Sequence, residues 1–365
     1  VVMTRLTTCA LSFNLVFHFA PCRCVVTTKA AGPPVAMATV QYRALSDKDG
    51  EIIERIWKRP RDSYVRVGPE GYLFPAVFSE TYHGFKNFEL RSDDVWVVSF
   101  PKTGTTWTQE LTWCLLNDLN LEKAKSVFST ERVPFIDIDF ILTEEDRQIM
   151  TESLKESHKF ATGIWIRENM CQFAGGLPSP RCLKSHLPFS LLPKDILKKS
   201  KVIYITRNVK DVVVSYFYHT VALERFEGNI EEFFELFMAD LTMWDPFTAH
   251  VKEAWKLKDN PNLLFLFYED LKKDLGKELD KVAKFLGKQI TPEQKAALLS
   301  HLHIDSFKKN SSINFDEEMK KGIYTGDFIR KGAVGDHKEK LTEEMTRQLD
   351  EYIKREFDGT GLPLN

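Results

Sequence analysis

Cysteine is scarce where a structural role would require it. The chain has 365 residues and six cysteines, and Cys9, Cys22 and Cys24 fall in the first 24. Cys114, Cys171 and Cys182 alone serve the rest, at spacings that suit neither a disulfide framework nor a zinc site. Such usage belongs to a reducing compartment, and we expect a cytoplasmic protein. A surplus of one charge is also missing: 50 Lys+Arg face 52 Asp+Glu. That balance speaks against a nucleic-acid partner or an anionic membrane, while leaving room for a local basic pocket. No internal repeat or low-complexity stretch follows Met37. The apolar run Cys9–Ala20 (CALSFNLVFHFA) is too short for a membrane span, which takes about 20 residues. Residues 1–36 read as a leader, disordered or wrongly translated, because Ala30–Ala38 (AAGPPVAMA) is loop-like and Met37 could start an ordinary protein. A cleaved signal peptide is the alternative.

What is present is a globular composition, 43% hydrophobic and 28% charged, in a length that suits one large α/β domain or two ordinary ones. Three runs, Val95–Phe100, Val202–Thr206 and Leu263–Tyr268, are apolar without polar alternation, as in strands buried on both faces. Helical spacing marks Thr105–Leu116, Ile230–Trp244 and Leu275–Leu286, and Thr342–Phe357 is expected to form a capped amphipathic helix. This order predicts an α/β fold with a central parallel sheet. No long linker divides residues 37–365, so a single domain is expected.

The stretch SFPKTGTTW (99–107) follows the first of these runs. A strand entering a helix through a Gly-containing turn aims unpaired N–H groups and a helix dipole at one point, which makes an anion site. Gly104 permits close backbone approach, Thr105 and Thr106 add hydroxyls, Lys102 adds a charge, and Trp107 offers a face to a purine. The pattern departs from GxxxxGK[ST], because the lysine precedes the glycine. An ordinary turn with an N-cap threonine remains the alternative. Arg207 ends the second strand, where open α/β sheets bind ligands, and Ser215 follows about two helical turns later. Arg207 could instead form a surface pair with Asp211. Arg330, Lys331 and Gly332 suit a phosphate clamp or a solvated turn. In CLKSHLP, Lys184 and His186 share a face at strand spacing, so a base would lie beside a cation.

Together these segments resemble the cytosolic sulfotransferases that use 3′-phosphoadenosine 5′-phosphosulfate (PAPS). The resemblance runs from about Tyr64 to the C-terminus and rests on FPKTGTTW (100–107), KSHLP (184–188), TRNVKDVVVSYF (206–217), FYEDL (267–271) and RKGAVGD (330–336). It implies a P-loop nucleoside triphosphate hydrolase-like α/β domain, with helices flanking the sheet. By that resemblance, Lys102, Thr103, Gly104, Thr105, Thr106 and Trp107 cradle the 5′ end, with Trp107 on the adenine. Arg207, Ser215, Arg330, Lys331 and Gly332 gather at the 3′-phosphate. Tyr268, Ser306 and Phe307 continue the adenine contacts, although Asp305 stands where the family has threonine. His186 is the implied catalytic base, with Lys102 and Lys184 as catalytic cations, Ser215 restraining Lys102, and no metal. Phe78 and Phe135 match aromatic walls of a pocket for a small hydrophobic acceptor, such as a phenol or steroid-like alcohol, although plain core is the alternative for each.

The chain departs from this pattern in three places. It is long between Val133 and Lys184, and Thr143–Ser157 within that insertion is expected to act as a helical lid. The family's dimer motif is degraded: Lys338 and Thr342 match, while Glu343 and Arg347 do not, which leaves a homodimer open. His337 replaces a tryptophan and reads as a surface residue. The rival readings are a P-loop nucleotide kinase, a Golgi membrane sulfotransferase and a non-catalytic nucleotide-binding protein.

Overall fold

The computed structural model describes residues 40–144, 146–148, 169–224, 226–314 and 328–364. The expected leader, and most of the expected lid helix, lie outside these residues. Among the described residues, seven strands form two sheets: β1 (Tyr42–Arg43), β2 (Tyr64–Val67), β3 (Tyr72–Pro75), β4 (Val95–Val98), β5 (Cys182–Ser185), β6 (Lys201–Thr206) and β7 (Leu263–Phe267). The first three make a small antiparallel sheet. The other four make a parallel sheet in the order β5-β4-β6-β7. Val95 pairs with Cys182 on one side and Lys201 on the other, and Ile203 pairs with Leu264.

The missing polar alternation now has its cause. Trp96, Val98, Val202 and Tyr204 enter one core, while Val95, Val97, Ile203 and Ile205 enter a second core on the other face. Successive side chains point to opposite faces, and helices cover both, so both sets must be apolar. Thr105–Leu116, which we label α1, and Leu275–Leu286 form helices with the expected bounds. The last helix starts one residue later than expected, at Glu343, because Thr342 is its N-cap and accepts a bond from the Met345 N–H at 3.2 Å. The helix from Ile230 carries an Asn229–Glu232 capping box but stops at Met238 rather than Trp244. Asp240 and Trp244 take left-handed backbone (φ 55° and 68°), so the chain turns there. Leu241 and Trp244 are buried in the core, which prolongs the apolar spacing past the helix end.

The small sheet serves the parallel one. The Leu73 N–H donates to the Asp245 carbonyl at 2.8 Å, and the Trp244 N–H donates to the Leu73 carbonyl at 3.0 Å. These bonds hold the strained Trp244 backbone in place. At the amino ends of β4 and β5, Arg181 grips Asp94 through Nε–Oδ1 (2.7 Å) and Nη2–Oδ2 (2.6 Å), with both side chains buried. Removing one member of such a pair strands the other charge in a low-dielectric interior. Asp94→Ala is therefore expected to destabilise the fold by about 3–5 kcal/mol, read as a lower urea midpoint with an unchanged slope.

Candidate active site

The chain leaves β4 toward β5 and leaves β6 toward β7, in opposite directions. The crevice between the carboxyl ends of β4 and β6 is therefore the switch point where open sheets bind ligands. A cavity of about 380 Å³ lies there, and its lining includes Lys102, Trp107, Lys184, His186, Arg207 and Ser215.

The phosphate-type loop is built from backbone constraints. Gly104 has φ 107°, and a Cβ on it would stand 2.7 Å from Tyr268 Cδ2 and 3.1 Å from Ile205 Cδ1, so conformation and space both demand glycine. Lys102 itself takes φ 65°. Thr103 is buried, and its hydroxyl donates to the Phe100 and Ile205 carbonyls at 2.8 and 3.1 Å. It therefore braces the loop from behind rather than lining the cavity. Gly104 is the N-cap of α1 and brings no side-chain cap, which leaves the first-turn N–H groups to an anion.

Among the described residues, five cations line the crevice, Lys102, Lys184, Arg207, Arg330 and Lys331, with Glu224 the one acid. Burial, then Lys184, Arg207 and Arg330, lower the Lys102 pKa to about 7. Burial lowers Lys184 to about 8, against the pull of Asp137. The Lys102 ammonium lies 5.0 Å over the Phe328 ring. Ser215 lines the same cavity, and among the described residues no hydrogen bond joins it to Lys102. Arg207 lies 4.4 Å over Tyr268 and donates to the Ala333 carbonyl at 2.8 Å. It is also 3.4 Å from Asp211. The pair expected at the surface is thus buried, and Arg207 faces the cavity as well. Its Nε is buried without a hydrogen-bond partner. Arg330 lies over Tyr218 and pairs with Asp336, while Lys331 pairs with Asp336 and Glu339. Gly332 (φ 64°) packs so closely on Ile304 that a Cβ would be 2.4 Å from its Cδ1.

The aromatic residues divide into two groups. Trp107 anchors its indole N–H on the Leu302 carbonyl at 2.9 Å and meets the Tyr268 ring edge-on. Phe307 and Ile304 line the cavity. Asp305 and Ser306 are exposed and off it, because residues three apart share a helix face and the intervening ones do not. Asp305 instead approaches His303 at 3.6 Å, which removes the conflict with an anionic ligand. Phe135 lines the cavity, whereas Phe78 is fully buried among Phe74, Tyr82 and Phe140, behind the wall.

His186 is the most tightly specified residue. Its Nδ1 lies 2.7 Å from the Ser99 carbonyl. A carbonyl only accepts, so Nδ1 carries the proton and Nε2 keeps its lone pair. Its backbone N–H donates to Asp137 Oδ2 at 2.7 Å, and its carbonyl accepts from His250 Nε2 at 2.9 Å. Phe135 and Trp244 meet the imidazole edge-on at 5.1 and 5.3 Å. Burial, then the charge of Lys184, hold the His186 pKa well below its usual value.

Sequence reasoning missed this support. Asp137 accepts from Ser185 Oγ (2.6 Å), the His186 N–H (2.7 Å) and Trp244 Nε1 (3.1 Å). Burial raises its pKa to about 6 against those donors. Pro134–Ile136 runs beside β5: the Lys184 N–H donates to the Pro134 carbonyl, and the Ile136 N–H donates to the Lys184 carbonyl. The adjacency of VPFID to KSHLP could not be read without that pairing. His337 is corrected too. It is half-buried, with Nδ1 2.8 Å from Asp211 Oδ1. Although burial opposes it, the Gly335 N–H, His337 and Arg207 hold the Asp211 pKa below the usual range. The RKG loop is thereby tied to the helix that follows Arg207.

The sequence model of the sulfotransferase domain matches residues 92–361. The chain belongs to the sulfotransferase family. It is similar to the luciferin sulfotransferase of Photinus pyralis, 33% identical over 327 residues, covering 87% of this chain and 86% of that one. Sulfotransferase 1E1 of Bos taurus is 32% identical, covering 78% and 90%. Among solved structures, retinol dehydratase with androsterone and the inactive cofactor PAP matches with TM-score 0.81 and 33% identity, covering 88% of this chain and 97% of that one. The same enzyme with retinol and PAP also gives 0.81 and 33%, covering 89% and 99%. This chain is therefore a transferase with a sulfotransferase fold.

The cation cluster sets a linkage. Above about pH 7 the Lys102 ammonium is partly discharged before an anion binds. Binding a phosphate beside it restores the proton. Calorimetry of sulfate binding at pH above that value, in buffers of differing ionisation heat, should show net proton uptake that is reduced in Lys102→Met. Affinity should fall as pH rises.

Proposed function

We propose that this sulfotransferase transfers the sulfuryl group of PAPS to a hydroxyl or amine of a small hydrophobic acceptor, with His186 as general base and no metal. The observation that carries the reading is the Nδ1–H bond of His186 to the Ser99 carbonyl, 2.7 Å long. It commits Nε2 to acceptance, in a cavity shared with Lys102 and Arg207. The donor set fits a doubly phosphorylated nucleotide: uncapped first-turn N–H groups, an unpartnered Arg207 Nε and flat rings beside them. PAP in the related retinol dehydratase structures supports the same choice.

Bound in the crevice, PAPS supplies an activated sulfuryl group. Lys102 and the N–H groups of Thr105, Thr106 and Trp107 hold the 5′ end and neutralise charge there. Arg207, Ser215, Arg330, Lys331 and Gly332 hold the 3′-phosphate. Trp107, Tyr268 and Phe307 hold the adenine. Ser306 and Phe78 are omitted, because both lie off the cavity. His186 Nε2 takes the acceptor proton, and Lys184 keeps the imidazole neutral until it does. Phe135, Met243 and Trp244 wall the acceptor side and exclude water. The androsterone and retinol in the related structures support an apolar acceptor with one reactive hydroxyl. The five cations on the lining already provide the field that a metal would give, which separates this reading from a magnesium-dependent kinase.

Incubation with sulfur-labelled PAPS and a panel of phenols, alcohols and amines should give sulfated product, undiminished by a chelator. An absolute magnesium requirement would contradict the reading. His186→Asn should lower kcat by about 10²–10⁴ while leaving PAP affinity within a few-fold. Because the His186 pKa is held low, the wild-type rate should stay level as pH falls through the ordinary histidine range.

A further inference from the structure

The helix Val209–Leu223, labelled α2, forms one wall of the cavity. Ser215, Tyr218, His219, Ala222 and Leu223 line it at helical spacing, and the C-cap residue Glu224 lines it too. Nine residues separate Ser215 from Glu224, so the carboxylate lies about 13 Å further along the helix axis than the proposed phosphate site. Its neighbours on the lining are Leu223 and Ala222 on the same helix, with Met243 and Trp244 among the other apolar walls.

Glu224 is the one acid among the described residues that line this cavity, beside the apolar Ala222 and Leu223 of its own helix. Among the described residues it has no side-chain hydrogen bond and no ion pair. Arg59 is its nearest named charge, yet that guanidinium donates to the Tyr64 hydroxyl at 3.2 Å. Burial raises the Glu224 pKa to about 7, against the weak pull of Arg59. Glu224 is half-buried, and a bound molecule that shuts its carboxyl off from water incurs a cost unless that molecule supplies a donor.

We propose that Glu224 is that something's acceptor: it recognises a second hydrogen-bond donor, a hydroxyl or amine, on the acceptor molecule at the end remote from the group that is sulfated. This rests on the proposed sulfuryl transfer and narrows its substrate class to elongated apolar molecules that are polar at both ends. The reactive hydroxyl lies at His186 Nε2, and the remote donor meets the Glu224 carboxyl. An acceptor with one polar end would leave Glu224 unpaired in the complex, and sites built to bond a donor discriminate against molecules lacking it.

The test uses the full chain loaded with PAP and two series of probes: 4-alkylphenols, and 4-(ω-hydroxyalkyl)phenols and 4-(ω-aminoalkyl)phenols of matched chain length. Equilibrium binding is measured by titration calorimetry, and turnover is measured separately with PAPS. For one chain length the wild type should bind the two-ended phenol about 10-fold or more tightly than its alkyl counterpart. Glu224→Leu should abolish that preference while binding the alkylphenols as well or better. Glu224→Gln, which can still accept a bond, should keep part of the hydroxyl preference and lose the amine preference. Equal affinity for matched probes at every length would overturn the inference, as would equal weakening of all probes in both variants, which marks a structural role. Absence of turnover for every phenol would count against sulfuryl transfer itself, whereas the binding pattern decides the role of Glu224 independently.

Discussion

The hydrogen bond from His186 Nδ1 to the Ser99 carbonyl joins the end of β5 to the end of β4. One atom pair thereby couples the His186 imidazole to the strand that leads into the Gly104 loop. Ser99 Oγ also bonds Thr105 Oγ1 at 2.6 Å, at the first turn of α1. A shift of β4 along β5 would therefore move the imidazole and the loop amides together. The parallel pairing of Val95–Val98 with Cys182–Ser185 forbids that shift, since a slip of one residue exchanges the two apolar faces. The register that buries the core also fixes where the His186 imidazole meets the crevice.

Around this link the protein holds arrangements that isolated chemistry would reject. Lys102 and Trp244 adopt left-handed backbone, and several cations share the crevice. Each costs free energy, and each is held by ordinary structure: Thr103 hydroxyl bonds behind the loop, and Leu73 backbone bonds on either side of Trp244. The lowered Lys102 pKa is the electrostatic face of the same arrangement. Burial lowers it first and the neighbouring cations add to it, and an anion beside the ammonium would oppose both. Like charge gathers where an anionic ligand would relieve it.

Much of this was legible in the residues. Two-faced apolar runs gave three of the four parallel strands, and the Gly-containing turn fell where the structure starts a helix without a side-chain cap. The strand-spacing argument joined Lys184 to His186, and the structure has Lys184 on β5, His186 just past its end, and both on the cavity lining. What stayed hidden depends on contacts between segments far apart in the chain. Asp137 lies nearly fifty positions before His186 and reaches it only because Pro134–Ile136 runs beside β5. Trp244 kept helical spacing while belonging to a turn held by β3. Ser306 and Phe78 carried the motif's residue types, but one sits on the outer side of a short helix and the other packs behind the wall. His337 looked like a surface residue because its partner, Asp211, is buried on a helix more than a hundred residues earlier.

The central claim is that His186 is neutral, protonated on Nδ1 and accepting at Nε2. Nitrogen-15 NMR of histidine-labelled protein, with His186→Asn to assign the signal, reads tautomer and charge directly. The account predicts an Nδ1–H imidazole that stays neutral well below the usual histidine pKa. An Nε2–H tautomer, or titration at the ordinary value, would contradict it.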